Sequence, residues 1–428
     1  MADFAAVNDR LQAHGQEHLL RFYPQLDPMR QKALLDQLDT LDFDVLNDAI
    51  NQYVLKAPRY KVEGDIQPAH TVPSAPTDSA AAEEREAGRK RGEELIAAGK
   101  TAAFVVAGGQ GTRLGYDGPK GCLESTPVVK KPLFRLFAEQ IMAASKRHRV
   151  RIPWYIMTSA ANDVATKAHF RQNDHWGMNP KDVFFLTQDM MPAIGMDGKL
   201  LLGAKGSLAM SPNGHGGSLL ALRKSGALED MQKRGVELLS YFQVDNPLVR
   251  CIDPAFLGLH ELRKAEMSAK ALPKRDPMEK LGNFCMVNGK VTVIEYSDMP
   301  QELATACGPD GRLKFGSGSI AIHVFNRSFI ERLTVGGKCA LPWHRAEKAV
   351  PYVNEAGELV KPDKPNAIKL EMFVFDALPL ASNTLLLETL RNEEFSPIKN
   401  ASGADSLATS IYDQVRRWAA WLEKAGMK

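Results

Sequence analysis

The chain has 428 residues, enough for more than one domain and a large core. Hydrophobic residues make up 44% and charged residues 25%, ordinary values for a soluble globular protein. The balance of 54 Lys and Arg against 51 Asp and Glu, a net charge of +3, is too mild to favour a nucleic-acid or membrane-surface partner. No stretch approaches the roughly 20 apolar residues of a membrane span. The start, Met1-Ala-Asp-Phe, lacks the basic-then-apolar layout of a signal peptide. Cys122, Cys251, Cys285, Cys307 and Cys339 form no CxxC pair, which suits a reducing cytoplasmic setting and argues against a cysteine zinc site. No internal repeat is visible.

Residues 1 to about 58 read as helical. Asp27-Pro28 supplies a cap and a proline at a first helical position, and Phe43, Leu46, Ile50 and Tyr53 share one helical face. The Pro/Ser/Thr/Ala-rich stretch at 64–80 predicts an extended linker, and Ala81 to Gly99 a solvated helix. From residue 101 strands alternate with helices. The expected strands are 101–107, 154–158, 183–187 and 238–244; the expected helices include 133–147 and 218–234. Apolar strands separated by helices imply a mainly parallel sheet covered on both faces, with ligands at the carboxyl ends of its strands. Asn288-Gly289 between Phe284–Val287 and Val291–Tyr296 signals a hairpin; with Ser319–Phe325 it predicts a β insertion near 284–325 forming one wall of the pocket. Beyond 376 the chain reads as helical, ending in a helix whose stripe Leu407, Ile411, Val415, Trp418 and Leu422 packs onto the domain. The division read from the sequence is therefore 1–100, 101–375 and 376–428.

The first strand runs into Ala107-Gly-Gly-Gln-Gly-Thr-Arg-Leu-Gly115 and then Gly118-Pro119-Lys120. Glycine lets main-chain N–H groups approach a ligand closely, consecutive N–H groups in a turn make an anion site, and Arg113 and Lys120 add positive charge. A polyphosphate is the natural guest. The spacing Gly109-x-Gly111-x-x-x-Gly115 is one residue off the dinucleotide fingerprint, and no Gly-Lys-Ser/Thr follows, so a dinucleotide oxidoreductase or a P-loop enzyme is disfavoured.

This loop, followed by Pro119-Lys120-Gly121, resembles the signature of the eukaryotic-type UTP:sugar-1-phosphate uridylyltransferases, with the UDP-N-acetylglucosamine pyrophosphorylase family nearest. The likeness extends over most of the chain. It takes in Gly15-Gln-Glu-His-Leu-Leu-Arg-Phe22, Pro212-Asn-Gly-His-Gly-Gly217, Val244-Asp-Asn246, Val293-Ile-Glu-Tyr-Ser297, Lys361-Pro-Asp-Lys-Pro-Asn366 and Phe395-Ser-Pro-Ile-Lys-Asn400. The resemblance implies an α/β fold: a doubly wound, Rossmann-like nucleotidyltransferase domain with a GT-A-like mixed sheet, a helical N-terminal extension and a short helical C-terminal segment. It implies attack of a sugar-1-phosphate on the α-phosphorus of UTP with Mg²⁺, small-molecule partners only, and a monomer or weak homo-oligomer.

By the same resemblance, Ala107, Gly108, Gly109, Gln110 and Gly111 cradle the nucleotide, Gln188 and Gly214 contact the base, and Arg113, Lys120 and Lys399 handle the phosphates. Asp245, at a strand's carboxyl end, reads as a Mg²⁺ ligand or as a helix N-cap. Glu295 falls where the family binds sugar hydroxyls. His215 and Ser319 fall at the sugar too, and both depart from the family's N-acetylglucosamine pattern, which has Asn at each. Glucose- or galactose-1-phosphate is therefore the alternative substrate, and a non-catalytic UDP-sugar-binding protein the alternative class. Only 28 residues follow Asn400, so the bulk of the family's C-terminal β-rich domain is expected to be missing.

Overall fold

Residues 3–56 and 64–427 are described by the computed structural model. They fall into two units assembled from separated stretches of chain: Met1–Tyr60 with Asp189–Gly217 and Leu341–Phe373, and Lys61–Gln188 with Ser218–Ala340 and Val374–Lys428. The end of the helical region near 58, and Met1-Ala2 of the leader reading, lie outside the described residues.

In the first unit, helices Phe4–Ala13, Pro28–Asp39 and Phe43–Ala49 are capped by the carboxylates of Asp3, Asp27 and Asp42. Their buried faces, including Val7, Leu11, Leu34, Leu38, Phe43, Leu46 and Ile50, share a core with Ile194, Leu200, Leu202, Leu208, Ile368 and Leu370. That core explains the Gly15–Phe22 motif. Gln16 is buried and works as a surrogate strand: Nε2 donates to Gly198 O at 3.0 Å and Oε1 accepts from Leu200 N at 2.9 Å. His18 Nε2 donates to Leu200 O at 2.8 Å, and Lys199 reaches back to Gly15 O. The motif fastens the 195–200 turn.

In the second unit the described residues form a ten-stranded sheet. Its strands are β1 (Ile66–Pro68), β2 (Thr101–Val106), β3 (Trp154–Thr158), β4 (Val183–Thr187), β5 (Leu238–Gln243), β6 (Met267–Pro273), β7 (Asn283–Val287), β8 (Lys290–Ile294), β9 (Ser317–Asn326) and β10 (Thr384–Glu388). The order is β1-β7-β9-β5-β2-β3-β4, with β6 on β9 and β10, and β8 on β7. Strands β5, β2, β3 and β4 are parallel to one another, and helix Leu133–His148 crosses between β2 and β3. The expected parallel sheet is thus mixed. Strand β9 runs antiparallel to β5, β6 and β7 because the hairpin region joins the main sheet rather than standing apart. The hairpin turn is Asn288-Gly289, with φ of 49° and 77°, the left-handed pair a two-residue turn requires.

Several expectations change. The stretch at 64–80 is no free linker: β1 pairs with β7, Val72 bridges to Leu387, and Arg85 donates to Ser74 O. Helix Ser79–Ala97 is not fully solvated, since it buries Gly88, Gly92, Leu95 and Ile96. A Cβ on Gly92 would stand 1.7 Å from Pro254 O, and one on Gly258 1.7 Å from Gly88 O, so this helix crosses Pro254–Leu262 backbone to backbone. The expected helix 218–234 breaks at Gly226 (φ 78°) into Gly217–Lys224 and Ala227–Arg234. The segment beyond 376 contains β10, parallel to β6. The final helix Leu407–Lys424 buries Ser410, Gln414 and Arg417, not the apolar stripe, whose Val415 and Leu422 are 46% and 49% exposed. One unit boundary, between Phe373 and Val374, falls beside the break read at 375, and both units draw on segments remote in sequence.

Candidate active site

The glycine loop leaves the carboxyl end of β2, where successive main-chain N–H groups of the departing turn favour an anion. Ala107 N donates to Met157 O at 2.7 Å, Gly111 N to Gly118 O at 2.9 Å and Lys120 N to Gly109 O at 3.1 Å. The loop thus closes on itself and brings the main chain of Lys120 beside Gly109. Its carbonyls are held from behind: Asn162 Nδ2 donates to Ala107 O at 2.9 Å and to Gly109 O at 3.2 Å, and Ser159 Oγ to Gly108 O at 2.8 Å. With the carbonyls tied down, the N–H groups of Gly108, Gly109 and Gln110 take no partner among the described residues. Ala107 and Gly111 engage their own amides inside the scaffold, so the three between them are the donors a ligand would meet. Ser159 and Asn162 carry no family motif in the sequence reading. The signal available was a polar Thr-Ser-x-x-Asn run directly after an apolar strand.

Gln188 follows β4 and is buried rather than an exposed loop residue. Its N–H donates to Thr158 O at 2.8 Å, and a Cβ on Gly108 would sit 3.1 Å from its Oε1. The structure therefore brings Gln188 against the glycine loop. Arg113 lies in the turn Thr112–Leu114 and is exposed; Lys120 opens the turn Lys120–Cys122 and is half-buried. Neither takes an ion pair among the described residues, which leaves both charges available.

Asp245 follows β5, next to β2 in the sheet. It heads no helix, the cap role belonging instead to Asp253 at Pro254–Leu262. Its carboxylate is half-buried without a cationic partner among the described residues. Its carbonyl accepts from Ile398 N at 2.8 Å, which brings the segment bearing Lys399 alongside. Lys399 is exposed, with its ammonium 5.8 Å from the Phe395 ring centre. Glu295 and Ser319 both abut Gly282: Ser319 N donates to Gly282 O at 2.8 Å, and a Cβ on Gly282 would lie 3.3 Å from Glu295 Oε1. Ser319 borders a bulge in which the pairing jumps from Ala269–His323 to Ala271–Ser319, with Ala321 at φ 53°. Bulges of this kind re-aim side chains beside sites.

Gly214 and His215 belong to the first unit, and the other predicted site residues to the second. Gly214 has φ 82° and would place a Cβ 2.3 Å from Met372 O, so only glycine fits. The turn is fixed by Gly216 N donating to Met372 O and Met372 N to Asn213 O, both at 2.8 Å. The His215 ring stacks on Phe373 at 5.4 Å, and His344 stacks on the same ring at 4.4 Å. Burial, aided by His344, pushes the His215 imidazole down to about 4. At neutral pH it is an uncharged hydrogen-bonding group, suited to hydroxyls more than to neutralising phosphate.

The sequence matches the family model described as UTP–glucose-1-phosphate uridylyltransferase over residues 47–419. It is 39% identical to the human UDP-N-acetylhexosamine pyrophosphorylase-like protein 1, over 98% of this chain and 86% of the relative. It is 35% identical to the UDP-N-acetylglucosamine diphosphorylase 2 of Arabidopsis thaliana, over 98% and 85%. The fold matches the crystal structure of the uridine diphosphate N-acetylglucosamine pyrophosphorylase of Trypanosoma brucei in complex with an inhibitor. There the TM-score is 0.83 and the identity 25%, covering 99% of this chain and 87% of that one.

Proposed function

The chain belongs to the UTP–glucose-1-phosphate uridylyltransferase family, and we propose that within it the sugar substrate is an N-acetylhexosamine-1-phosphate. The enzyme is a UTP:sugar-1-phosphate uridylyltransferase. A phosphate oxygen of the sugar-1-phosphate forms a bond to the α-phosphorus of UTP, the bond from that phosphorus to the bridging oxygen breaks, and pyrophosphate leaves with the electron pair. The observation that supports this chemistry most directly is that the amides of Gly108, Gly109 and Gln110 and the cations Arg113 and Lys120 of the same loop take no partner among the described residues. Phosphoryl-type transfer asks mainly for positioning and for neutralisation of charge spread over oxygens. In this reading the three amides and Arg113 hold the triphosphate. Lys120 and Lys399 stabilise charge on the α-phosphate and the leaving pyrophosphate, and Gln188 and Gly214 read the uracil.

Asp245 fits a Mg²⁺ ion, which takes one or two carboxylates plus phosphate oxygens. No group of three His, Cys, Asp or Glu side chains arranged for a metal occurs among the described residues, so the substrates would supply the remaining ligands. When bound, the ion would screen the phosphate charge. Glu295, Ser319 and neutral His215 are assigned to the sugar. The acetamido choice is supported by the similarity to N-acetylhexosamine and N-acetylglucosamine relatives. Glucose- or galactose-1-phosphate is the second reading, favoured by His215 and by the short hydroxyl side chain of Ser319. No helix among the described residues is long and apolar enough to cross a membrane; a cytoplasmic monomer or weak homo-oligomer remains part of the proposal.

Pyrophosphate release from UTP, N-acetylglucosamine-1-phosphate and Mg²⁺ tests the reading. Lys120→Ala should lower kcat by roughly 10²–10³-fold, as loss of one electrostatic donor does. Binding of UDP-sugar without turnover of any sugar phosphate would overturn it in favour of a binding protein.

A further inference from the structure

The last helix, Leu407–Lys424, buries Ser410, Gln414 and Arg417, and these side chains grip the main chain of three segments remote in sequence. Ser410 Oγ donates to Ser396 O at 2.9 Å, and the neighbouring Asp413 accepts from Ser396 Oγ at 2.6 Å. Gln414 Nε2 donates to Ser125 O at 2.8 Å. Arg417 Nη1 donates to Leu248 O at 2.6 Å and to Glu393 O at 2.9 Å. Ser125 lies on the segment that follows Lys120, Leu248 on the loop that carries Asp245, and Glu393 and Ser396 on the strap that ends in Lys399. Two of these loops are also tied to each other. Asn246 Nδ2 donates to Glu394 O at 2.7 Å and its Oδ1 accepts from Ser396 N at 3.1 Å, while Ile398 N donates to Asp245 O at 2.8 Å.

We infer that this helix is a positioning device that sets Lys120, Asp245 and Lys399 relative to one another through Ser410, Gln414 and Arg417. The inference rests on the reading of those three residues given above. Ser410, Gln414 and Arg417 touch no substrate in it and act through the loops. A buried guanidinium that bonds two main-chain carbonyls, with its ring-face contact to Trp421 at 4.8 Å, is a costly way to attach a helix if attachment alone were needed. Of the apolar stripe available for that, Leu407 packs against the core, while Ile411 and Trp418 are left half-buried and Val415 and Leu422 exposed. One Nη1 group that donates to both carbonyls fixes the distance between their segments, which apolar packing would not.

The test is Arg417→Met in the full chain, with Arg417→Lys as the conservative variant and Gln414→Leu as a milder break. Arg417→Met should lower kcat roughly 10–100-fold while KM for UTP moves less than about threefold, because a displacement of about 1 Å costs that much in the chemical step and little in uniform binding. Amide exchange should accelerate by about tenfold or more at Ser396 and Ile398 with the β2 amides still protected. Arg417→Lys should recover part of kcat, and Tyr412→Ala on the exposed side of the helix should match wild type. Unchanged exchange at Ser396 and Ile398, or kcat within about twofold of wild type in folded protein, overturns the inference. If Arg417→Met unfolds, Gln414→Leu decides in the same way at the Lys120 side. Absence of turnover in wild type on every sugar phosphate would instead remove the reading of Lys120, Asp245 and Lys399. The exchange measurement would then still judge the helix's grip.

Discussion

Asn162 is 1% exposed and uses both ends of its amide on the glycine loop and its support, with Nδ2 on Ala107 O and Gly109 O and Oδ1 on Ser159 N. Its truncation to Ala leaves the buried Ala107 carbonyl without that donor, at about 1–3 kcal/mol, while Gly109 O keeps Lys120 N. The loop would then rotate its amides away from the ligand. Asn162→Ala should weaken UTP binding by roughly tenfold or more, measured by titration calorimetry, with little effect on the fold. Lys270 poses a different problem. It is 4% exposed and donates to Asp253 and to Glu394, both at 2.7 Å. Burial raises the Asp253 carboxyl, but Lys270 more than reverses it and keeps it below the usual range. Lys270→Met would strand two buried carboxylates and should cost about 3–5 kcal/mol in urea unfolding.

His260 is buried between Ser268 Oγ at 2.7 Å and Asn326 Oδ1 at 3.0 Å. Burial pushes it down to about 4, against a smaller upward pull from Asn326 and Glu261. Protons therefore bind the unfolded chain first. Stability from this group is complete above the unfolded value near 6.5 and is lost as pH falls from there towards 4, by up to about 3 kcal/mol. Urea midpoints at pH 7 and pH 5 should show the loss, and His260→Gln should flatten it. At this scale the sequence singled out Lys120 and Asp245 as residues for the proposed chemistry. It was blind to Asn162 and Lys270, whose importance lies in partners remote along the chain.

Among elements, β2 to β5 and their glycine loop were legible because apolar β-branched runs and Gly clusters are local signals. The helices were less so. Gly88 and Gly92 lie in the Ala/Glu/Arg-rich stretch read as a solvated helix, yet they are where the helix touches Pro254–Leu262. Gly258→Ala should destabilise by about 1–3 kcal/mol through overpacking, seen as a lowered thermal midpoint, with KM for UTP unchanged since the crossing lies away from the loop at 107–120. The terminal helix misled in the opposite sense. Its apolar periodicity was real, but Ser410, Gln414 and Arg417 found carbonyl partners on three loops, and tertiary hydrogen bonds chose the buried face.

At the scale of the molecule, alternation of strands and helices announced the α/β class, and motifs spread along the chain announced the family. The division into units was not legible, because Ile194 and Ile368 complete the core of the N-terminal helices from far away in sequence. Sugar choice is a property of the whole enzyme and is read most directly from turnover. The decisive measurement is kcat/KM with UTP and Mg²⁺ across N-acetylglucosamine-, N-acetylgalactosamine-, glucose- and galactose-1-phosphate. The acetamido sugars should exceed the plain hexoses by about tenfold or more, the size of one well-made pocket contact. Turnover confined to hexoses without the acetamido group would contradict the account.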